Sequence, residues 1–243
     1  MQKKHKTKVI AVLPAFNAEK TLEKTYKDIP KGTVNKTILV DDGSKDETVK
    51  IAQELGLEVV VHPQNRGYGA NQKTCYTLAL SQGADIIVMI HPDYQYDSTL
   101  TAELIRPILQ NRFDVMLGSR IRTREEALNG GMPMYKYIGN RFLTFLENLV
   151  LGQNLSEYHT GFRAYKKEIL KKIPFHKYSD DFIFDQQILF GAIAGGARIG
   201  EIPVPVRYFS EASSINFRRS VVYGLFILRD LLIYSVFGKG HFV

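Results

Sequence analysis

Short groups that contain polar or charged residues follow four apolar runs of the sequence. They form the groups Pro14-Ala15-Phe16-Asn17, Asp41-Asp42-Gly43-Ser44, Asn65-Arg66-Gly67 and His91-Pro92-Asp93-Tyr94-Gln95. One such group is often only a turn and a helix cap. Parallel strands, however, bring their carboxyl ends to one edge of a sheet, and ligands bind at that edge. Four such groups in one chain therefore predict a shared ligand site.

The residue types in these groups suit a nucleotide diphosphate. Asp41 can accept a hydrogen bond from a base N–H, Arg66 can pair with phosphate, and Gly67 lets the backbone approach a ligand closely. Asp93 and Gln95 offer oxygen ligands to a hard divalent cation, which would bridge the phosphates and offset charge on the leaving group. The sequence has no Gly-x-x-x-x-Gly-Lys-Ser/Thr loop and no Gly-x-Gly-x-x-Gly after the first apolar run. These absences argue against a nucleoside triphosphatase and a nicotinamide dehydrogenase.

The elements that must position these groups alternate in type. The apolar runs predict buried strands at residues 9–13, 38–40, 59–61, 86–90 and 115–117. Helices are predicted at residues 17–29, 44–55 and 67–80, and from Asp97 or Ser98 to about residue 109. Asn17 is the expected N-cap of the first helix. Ser44 is the expected N-cap of the second, because Ser44 with Glu47 has the form of a capping box. This alternation predicts an α/β fold with a mostly parallel central sheet and helices on both faces.

The second half of the chain is less regular. Residues 120–135 are polar and contain glycines, which predicts a mobile loop. Helices are predicted at residues 136–151, 182–194 and 221–237, and Pro203 and Pro205 interrupt a strand that contains Val204 and Val206. No linker or repeat marks a domain boundary. We therefore predict one catalytic domain over residues 1–215, followed by an apolar C-terminal helix within residues 216–243.

Composition narrows the class of protein. The 243 residues are 44% hydrophobic and 23% charged, which is typical of a globular protein. Cys75 is the single cysteine, so an intrachain disulfide is excluded, and we expect a buried structural thiol. The net charge of +7 favours phosphates, nucleic acid or anionic lipid. Nucleic-acid binding would explain none of the strand-end residues and is not expected. The basic N-terminus leads into no signal-peptide core, so we expect a cytoplasmic protein.

Five motifs occur in the order seen in family 2 glycosyltransferases. They are Pro14-Ala15-Phe16-Asn17-Ala18-Glu19, Asp41-Asp42-Gly43-Ser44, Asn65-Arg66-Gly67-Tyr68-Gly69-Ala70, Gly118-Ser119-Arg120 and Thr160-Gly161-Phe162-Arg163. Over roughly residues 8–215 the chain most resembles the branch that transfers sugars to dolichyl or polyprenyl phosphate. The resemblance implies a nucleotide-sugar-binding fold of the GT-A type, an inverting transfer and a Mg or Mn ion.

The resemblance also implies roles for single residues. Pro14, Phe16 and Glu19 match donor-binding positions near the base and ribose, and Asp41 matches the base-binding aspartate. The family's Asp-x-Asp-x-Gln metal motif falls on residues 91–95, where Asp93 and Gln95 match. His91 stands in the first position. A neutral imidazole can ligate a metal but suits ions softer than Mg, so His91 puts metal dependence in doubt. The alternative for His91 is a structural turn residue.

Four further residues are candidates for contact with the sugar or the acceptor. Arg163 matches a motif near the sugar and phosphates. Arg120 and Arg141 are candidates for the acceptor phosphate, because the planar guanidinium gives phosphate two hydrogen bonds. For Arg141 the alternative is a solvated helix face. Asp185 lies on an apolar helix, where a carboxylate is costly unless it is paired or functional. The resemblance implies a catalytic base or a sugar ligand at this position, and the alternative is one half of a structural ion pair.

Glu157 matches an acidic position of the branch and is a weaker candidate than Asp185. The loop Glu211-Ala212-Ser213-Ser214-Ile215-Asn216 resembles an acceptor-side loop, which we expect to become ordered on binding.

The apolar stretch at residues 221–237 is not predicted to cross a membrane. It is slightly shorter than the roughly 20 apolar residues that a span needs. Arg229 and Asp230 at its middle would each cost about 2.5–3.5 kcal/mol at the bilayer centre. A helix lying in the membrane interface, with Arg218 and Arg219 near lipid phosphates, fits better. The alternative is a helix packed on the domain or on a second subunit, so a homo-oligomer stays open.

The sequence therefore predicts an enzyme that moves a sugar from a nucleotide diphosphate sugar to a polyprenyl or dolichyl phosphate. We expect it to lie on the inner face of a membrane. Asp93, Asp185 and Arg163 are its expected catalytic residues. One alternative is a family 2 transferase that acts on a sugar hydroxyl in polysaccharide or glycolipid assembly. The other is a nucleotide-sugar-binding homologue that has lost catalysis, which the presence of His91 keeps open.

Overall fold

The computed structural model describes residues 6–121, 123–205 and 217–243. Seven strands form one sheet in the order β3-β2-β1-β4-β6-β5-β7. The strands are β1 (Val9–Ala15), β2 (Lys36–Asp41), β3 (Glu58–Val61), β4 (Ile86–Met89), β5 (Val115–Ser119), β6 (Arg163–Lys166) and β7 (Ile199–Pro203). The five predicted strands of the first half are all present, and the mostly parallel sheet is confirmed.

Nine α-helices of the described residues surround the sheet. They are α1 (Leu22–Lys27), α2 (Thr48–Glu54), α3 (Tyr68–Ser81), α4 (Thr101–Leu109), α5 (Arg124–Asn129), α6 (Met134–Leu151), α7 (Lys167–Lys172), α8 (Phe184–Ala194) and α9 (Phe217–Phe237). β1 is buried along its whole length and alternates between two cores. Ile10 and Val12 pack on one face of the sheet, whereas Val9, Ala11 and Leu13 pack on the other. This alternation is the period of a strand covered on both faces, as predicted.

Strand β6 is antiparallel to both of its neighbours, β4 and β5. The sequence analysis does not predict it, because residues 163–166 mix charged and apolar residues and lack an apolar run. Its direction matters for the site. β6 begins at the edge where β1 to β5 end, so Arg163 and the Thr160-Gly161 pair before it lie beside the strand-end groups.

Two helices begin later than predicted. Asn17 has a left-handed φ of 50° and does not cap α1, which begins at Leu22. Its side-chain oxygen instead accepts a hydrogen bond from the Lys45 amide at 2.9 Å. The Ser44 hydroxyl accepts from the Asn17 backbone N–H at 2.8 Å and donates to Asp41, and it does not cap α2, which begins at Thr48. In both cases the polar side chain joins two neighbouring turns, and this use competes with helix capping.

Three other elements differ from the predictions. The predicted loop at residues 120–135 contains α5, whose N-cap Thr123 accepts from the Glu126 amide at 3.1 Å. Asp97 caps the short 3₁₀ turn that leads into α4, as predicted. Strand β7 ends at Pro203, and Val206 lies outside the described residues. The predicted boundary between residues 215 and 216 and the loop at 211–216 lie outside them as well.

Helix α9 packs along α6, and its inner face carries Ile227, Leu231 and Tyr234. Asp230 on the same face accepts a hydrogen bond from the Gln187 amide of α8 at 2.9 Å. By length and composition α9 is the one helix of the described part that is apolar enough to cross a membrane. In the structure it lies against the domain.

Candidate active site

The turns that follow β1, β2 and β3 are joined by backbone hydrogen bonds to Asp42. Its own amide donates to the Ala15 carbonyl at 2.8 Å. Its carboxylate accepts from the Arg66 amide at 2.9 Å and from the Gly67 amide at 3.0 Å. The sequence analysis assigns Asp42 no role. The structure shows that it holds three strand-end turns together, and Gly67 keeps a φ of 103° that favours glycine.

The fourth turn is attached to the first by Thr21, whose hydroxyl donates to the Pro92 carbonyl at 2.5 Å. Strands β3, β2, β1 and β4 are neighbours in that order and parallel. The four polar groups therefore form one continuous rim, as the argument from parallel strands requires.

The expected donor-binding residues lie on this rim. Phe16 is 51% exposed, Arg66 is exposed, and the Glu19 carboxylate accepts from the Glu47 amide at 3.1 Å. Pro14 is buried within β1. Asp41 is fully buried, and its carboxylate accepts from the Gly43 amide at 3.0 Å, the Ser44 amide at 2.8 Å and the Ser44 hydroxyl. In this structure Asp41 therefore fixes the turn after β2.

A cavity of about 220 Å³ opens beside the rim, between the end of β4 and helices α6, α8 and α9. It brings together five of the predicted site residues, namely His91, Asp93, Gln95, Arg120 and Asp185. Pro14, Phe16, Glu19, Asp41, Arg66, Gly67, Arg141 and Arg163 do not line it.

The Asp185 carboxylate receives hydrogen bonds from two neutral groups. The Tyr68 hydroxyl donates to Oδ2 at 2.7 Å, and the Gln72 amide donates to Oδ1 at 2.9 Å. Within the described residues Asp185 has no ion pair, so the structural alternative for it is not observed. Burial and the nearby Asp185 charge raise the pKa of Tyr68 well above its usual value. Tyr68 therefore stays protonated and remains a donor to Asp185.

His91 is buried and stacks parallel to Tyr68, with 5.4 Å between the ring centroids. Its Nε2 lies 3.2 Å from the Tyr68 hydroxyl. A Cβ added to Gly161 would lie 2.7 Å from the imidazole, so the backbone of the Thr160-Gly161 turn packs directly on the ring. Burial lowers the pKa of His91, which keeps the imidazole neutral at pH 7.

Asp93 and Gln95 fit a hard cation in part. Both side chains line the cavity, and Asp93 Oδ1 also accepts a hydrogen bond from the backbone N–H of Gln95 at 3.1 Å. A carboxylate and an amide oxygen are the donor types that Mg²⁺ and Mn²⁺ accept. No group of three His, Cys, Asp or Glu side chains in the described residues is placed to hold a metal. These two side chains would therefore hold a cation together with oxygens of a bound ligand.

Arg163 is placed differently from its expected role. It is fully buried, and its guanidinium donates to the carbonyls of Thr160 at 2.5 Å, Tyr158 at 2.9 Å and Asp185. It does not line the cavity, and these hydrogen bonds go to backbone carbonyls. Arg163 instead joins the turn before β6 to the first residues of α8, which carry Asp185.

Arg120 lines the cavity, and its guanidinium is held in place. Its Nε donates to Glu157 at 3.0 Å, and its Nη2 donates to Glu157 and to the His159 carbonyl. Burial raises the pKa of Glu157, but the Arg120 charge outweighs burial and the net pKa is below the usual value. Glu157 thus positions Arg120. Arg141 is exposed on α6 and donates to the Ser156 carbonyl at 2.7 Å, outside the cavity lining.

A second buried polar chain, not predicted from the sequence, runs from α8 to α9. The Gln186 amide donates to Glu147 Oε1, and Glu147 Oε2 lies 3.3 Å from His159 Nε2. His159 Nδ1 lies 3.4 Å from the Tyr223 hydroxyl, and both residues line the cavity. Burial raises the pKa of Glu147 well above its usual value and lowers the pKa of His159 to about 3. His159 is therefore neutral at pH 7, and burial favours the protonated form of Glu147.

Sequence reasoning missed Tyr68, Phe182, His159 and Tyr223, which line the cavity. Tyr68 and His159 had a usable signal, because Tyr68 lies within the Asn65–Ala70 motif and His159 directly precedes Thr160. Phe182 and Tyr223 had none, since their contacts depend on how α8 and α9 pack.

The part of the cavity next to α6 and α9 is partly apolar, and we refer to it as the apolar end. Met132, Tyr135, Leu143 and Tyr223 supply its apolar surface, and Lys136, Asn140 and Ser220 line the cavity from the same region. Fifteen of the nineteen exposed large hydrophobic side chains in the described residues lie on these two helices. Both carboxylates of these helices, Glu147 and Asp230, are buried. The exposed charged side chains there are therefore all basic, and they are Arg141, Arg218, Arg219 and Arg229.

Comparisons with known proteins agree with this geometry. The family model "Glycosyl transferase family 2" matches residues 10–174. The UDP-N-acetylglucosamine–dolichyl-phosphate N-acetylglucosaminyltransferase of Methanococcus voltae is 30% identical over 86% of this chain and 90% of its own. The dolichyl-phosphate hexose transferase of Haloferax volcanii is 25% identical over 81% of both chains. The crystal structure of glucosyl-3-phosphoglycerate synthase from Mycobacterium tuberculosis with Mg²⁺ and uridine diphosphate superposes with a TM-score of 0.71. It is 20% identical, over 94% of this chain and 79% of that chain.

Proposed function

The chain belongs to glycosyl transferase family 2, and on that premise we propose that it transfers a sugar, with inversion, from a nucleotide diphosphate sugar to a lipid-linked phosphate. One observation carries the choice of acceptor. The Arg120 guanidinium and apolar side chains of α6 and α9, among them Leu143 and Tyr223, line the same cavity. A cation and an apolar surface in one cavity suit a molecule with an anionic head and a hydrocarbon tail. The two dolichyl-phosphate transferases among the relatives support the same acceptor class.

The donor would lie along the rim formed by the turns after β1 to β4. Phe16, Arg66 and the backbone at Gly67 are available on that rim to the nucleotide. Asp41 is fixed by its turn, and with Pro14 and Glu19 it would shape the base pocket. Asp93 and Gln95 would hold the cation, which when bound offsets the charge that develops on the leaving pyrophosphate.

The acceptor phosphate would approach Arg120, whose guanidinium lines the cavity. Glu157 and the His159 carbonyl fix this guanidinium before any ligand arrives, which lowers the entropy lost on binding. Arg141, exposed on α6, would attract the phosphate from outside the cavity.

Asp185 would bind the sugar and does not need to act as a strong base. A phosphate acceptor is already anionic, and both Asp185 oxygens already receive hydrogen bonds, from Tyr68 and Gln72. Arg163 would position Asp185 by holding the start of α8 through the Asp185 carbonyl. Most of the rate would then come from positioning and from stabilisation of leaving-group charge.

The apolar faces of α6 and α9 would rest on a membrane. Exposed apolar patches of this extent mark sites of membrane or protein contact. The surrounding charges are basic, which suits anionic lipid headgroups. This placement would put the apolar end of the cavity next to the lipid that carries the acceptor.

The proposal is tested by incubating the purified protein with a panel of nucleotide sugars, polyprenyl phosphate and either Mg²⁺ or Mn²⁺, and by scoring lipid-linked sugar by mass spectrometry. We expect product with at least one donor, and a loss of product in Asp93→Asn but not in the exposed control Glu103→Gln.

Asp185→Asn separates the acceptor classes. A phosphate acceptor should keep measurable turnover, whereas a hydroxyl acceptor, which needs a base, should lose nearly all of it. Transfer only to sugar hydroxyls would overturn the proposal.

A further inference from the structure

His91 occupies the first position of the metal motif, yet its hydrogen bond points elsewhere. Its Nε2 lies 3.2 Å from the Tyr68 hydroxyl, and the same hydroxyl donates to Asp185 Oδ2 at 2.7 Å. The three side chains all line the cavity. They form a chain of two hydrogen bonds that ends on the carboxylate.

The direction of this chain follows from the number of protons available. A tyrosine hydroxyl has one proton, and an ionised carboxylate can only accept. The Tyr68 proton therefore goes to Asp185, and the Tyr68 oxygen can only accept from His91. His91 Nε2 must then carry its proton, because two acceptors facing each other would not bond. A protonated ring nitrogen has no lone pair for a metal, so Nε2 is not a cation ligand in this arrangement. The lone pair that remains is on Nδ1, and Mg²⁺ and Mn²⁺ prefer oxygen ligands to an imidazole nitrogen.

Packing holds the imidazole in this orientation. The rings of His91 and Tyr68 are parallel within 3°, and Phe182 stacks on Tyr68 with 4.5 Å between the centroids. Gly161 lies so close to the imidazole that even one methyl group would clash at 2.7 Å. A ring fixed on these sides cannot turn freely toward a ligand in the cavity.

We propose that His91 is a positioning residue of Asp185, which acts by donating from Nε2 to Tyr68, and that the cation is held without it. The inference deepens the proposed function, because Asp185 is the residue proposed to bind the sugar. The departure from the acidic residue of the family motif then has a use, since aspartate at position 91 is shorter than histidine and has no N–H to donate to Tyr68.

A positioning role and a metal-ligand role of His91 predict different orders of activity among the variants at position 91. His91→Gln keeps an N–H donor, His91→Leu removes it, and His91→Asp replaces it with an acceptor and a charge. If His91 positions Asp185, Gln should keep the most activity, and Leu and Asp should each lower kcat about tenfold, the effect of one lost hydrogen bond. If His91 is a metal ligand, Asp should equal or exceed the wild type and Gln should fall below it. That second order would overturn the inference.

The same series in a Tyr68→Phe background provides the matched control. Without the hydroxyl the chain is already broken, so Gln and Leu at position 91 should give the same kcat within about twofold. A Gln-to-Leu difference that persists in this background would mean that His91 acts on something other than Tyr68. Thermal unfolding of each variant separates loss of fold from loss of activity.

A second measurement does not depend on transfer activity. Long-range ¹H–¹⁵N spectra of ¹⁵N-histidine protein report which ring nitrogen carries the proton, and the His91→Gln spectrum identifies the signal. We expect the Nε2–H tautomer, with both nitrogen shifts unchanged when Mg²⁺ is added. An Nδ1–H tautomer, or an Nδ1 shift that moves with Mg²⁺, would overturn the inference even if the donor and acceptor of the proposed function prove wrong.

Discussion

The side-chain amide of Gln187 on α8 donates a hydrogen bond to Oδ2 of Asp230 on α9 at 2.9 Å. Asp230 is 1% exposed, and its other oxygen accepts from Arg229 at 2.7 Å. We expect Asp230→Ala to lower the free energy of unfolding by about 1–3 kcal/mol, because it leaves the Gln187 amide without its partner. Urea denaturation measures the change. Leu232→Ala on the exposed face of α9 is the control and should change stability by about 0.5 kcal/mol or less.

Arg163 should be more important to stability than to ligand contact. Arg163→Met removes the donors to three buried carbonyls, and we expect a loss of about 3 kcal/mol or more in the free energy of unfolding. Arg198→Met, which breaks an exposed ion pair with Asp114, should cost about 1 kcal/mol or less. Equal losses in the two variants would show that the buried carbonyls do not depend on Arg163.

The buried Glu147 carboxyl should make the free energy of unfolding fall as pH rises. Burial raises its pKa in the folded protein, despite the nearby Arg163 charge, and Glu157 adds to the rise. The folded state therefore keeps the Glu147 proton above pH 4.5, where the unfolded chain releases it. Glu147→Gln keeps the shape and removes the titration. We expect it to match the wild type near pH 4 and to be increasingly more stable toward pH 8, as measured by urea denaturation at each pH.

The titration of His159 affects stability on the acid side, and it provides an internal check on the Glu147 prediction. Its pKa falls to about 3 on burial, so its contribution to stability is complete above its unfolded pKa of 6.5 and is lost as pH falls from there toward 3. Glu147→Gln should leave this acid-side loss in place. If the variant is less stable than the wild type at pH 8, Glu147 is ionised in the folded protein.

Gly139 tests the apolar end of the cavity. It lines the cavity on α6, and a Cβ added there would contact nothing within 4 Å. Gly139→Ala should therefore fold normally and gain about 0.5–1 kcal/mol, the usual helix preference for alanine. Gly139→Leu should fill the space and raise the KM for polyprenyl phosphate, with donor hydrolysis unchanged. An unchanged acceptor KM in Gly139→Leu would place the lipid elsewhere.

The exposed faces of α6 and α9 should bind anionic vesicles. We expect the protein to float with vesicles that contain phosphatidylglycerol and to be released by salt. Removing Arg218 and Arg219 together should weaken binding about 30-fold, because each basic residue contributes about 1 kcal/mol near such a surface. Phe145→Ser with Leu232→Ser should also weaken it. Leu109→Ser, at an exposed apolar residue on α4, is the control. Equal binding by all variants would rule out this face.

The parallel half of the fold is predictable from the sequence because each strand there is a short apolar run that ends in a polar turn. The convergence of Asp42, Arg66 and Pro92 follows from that rule alone. Strand β6 is not predictable in this way. Arg163 and Lys166 interrupt its apolar pattern, and its place between β4 and β5 depends on contacts far apart in sequence.

The site shows the same division. Residues that line the cavity from strand ends, such as Asp93 and Gln95, are readable from motif spacing. The role of a side chain cannot be predicted from a motif when neighbouring groups of the protein take its hydrogen bonds. Asp41 is held by its own turn, and Arg163 is held by backbone carbonyls. A motif names a position at the edge of the sheet, whereas the packing of α8 and α9 decides which atoms face the ligand.

The contact between Gly161 and His91 couples two motifs that lie far apart in the sequence. With an imidazole at position 91 there is no space for a methyl group at position 161, whereas a shorter side chain at 91 would create that space. Alanine at 161 should thus be tolerated only together with a smaller residue at 91. The two positions are therefore expected to change together, and engineering of either position has to treat both at once.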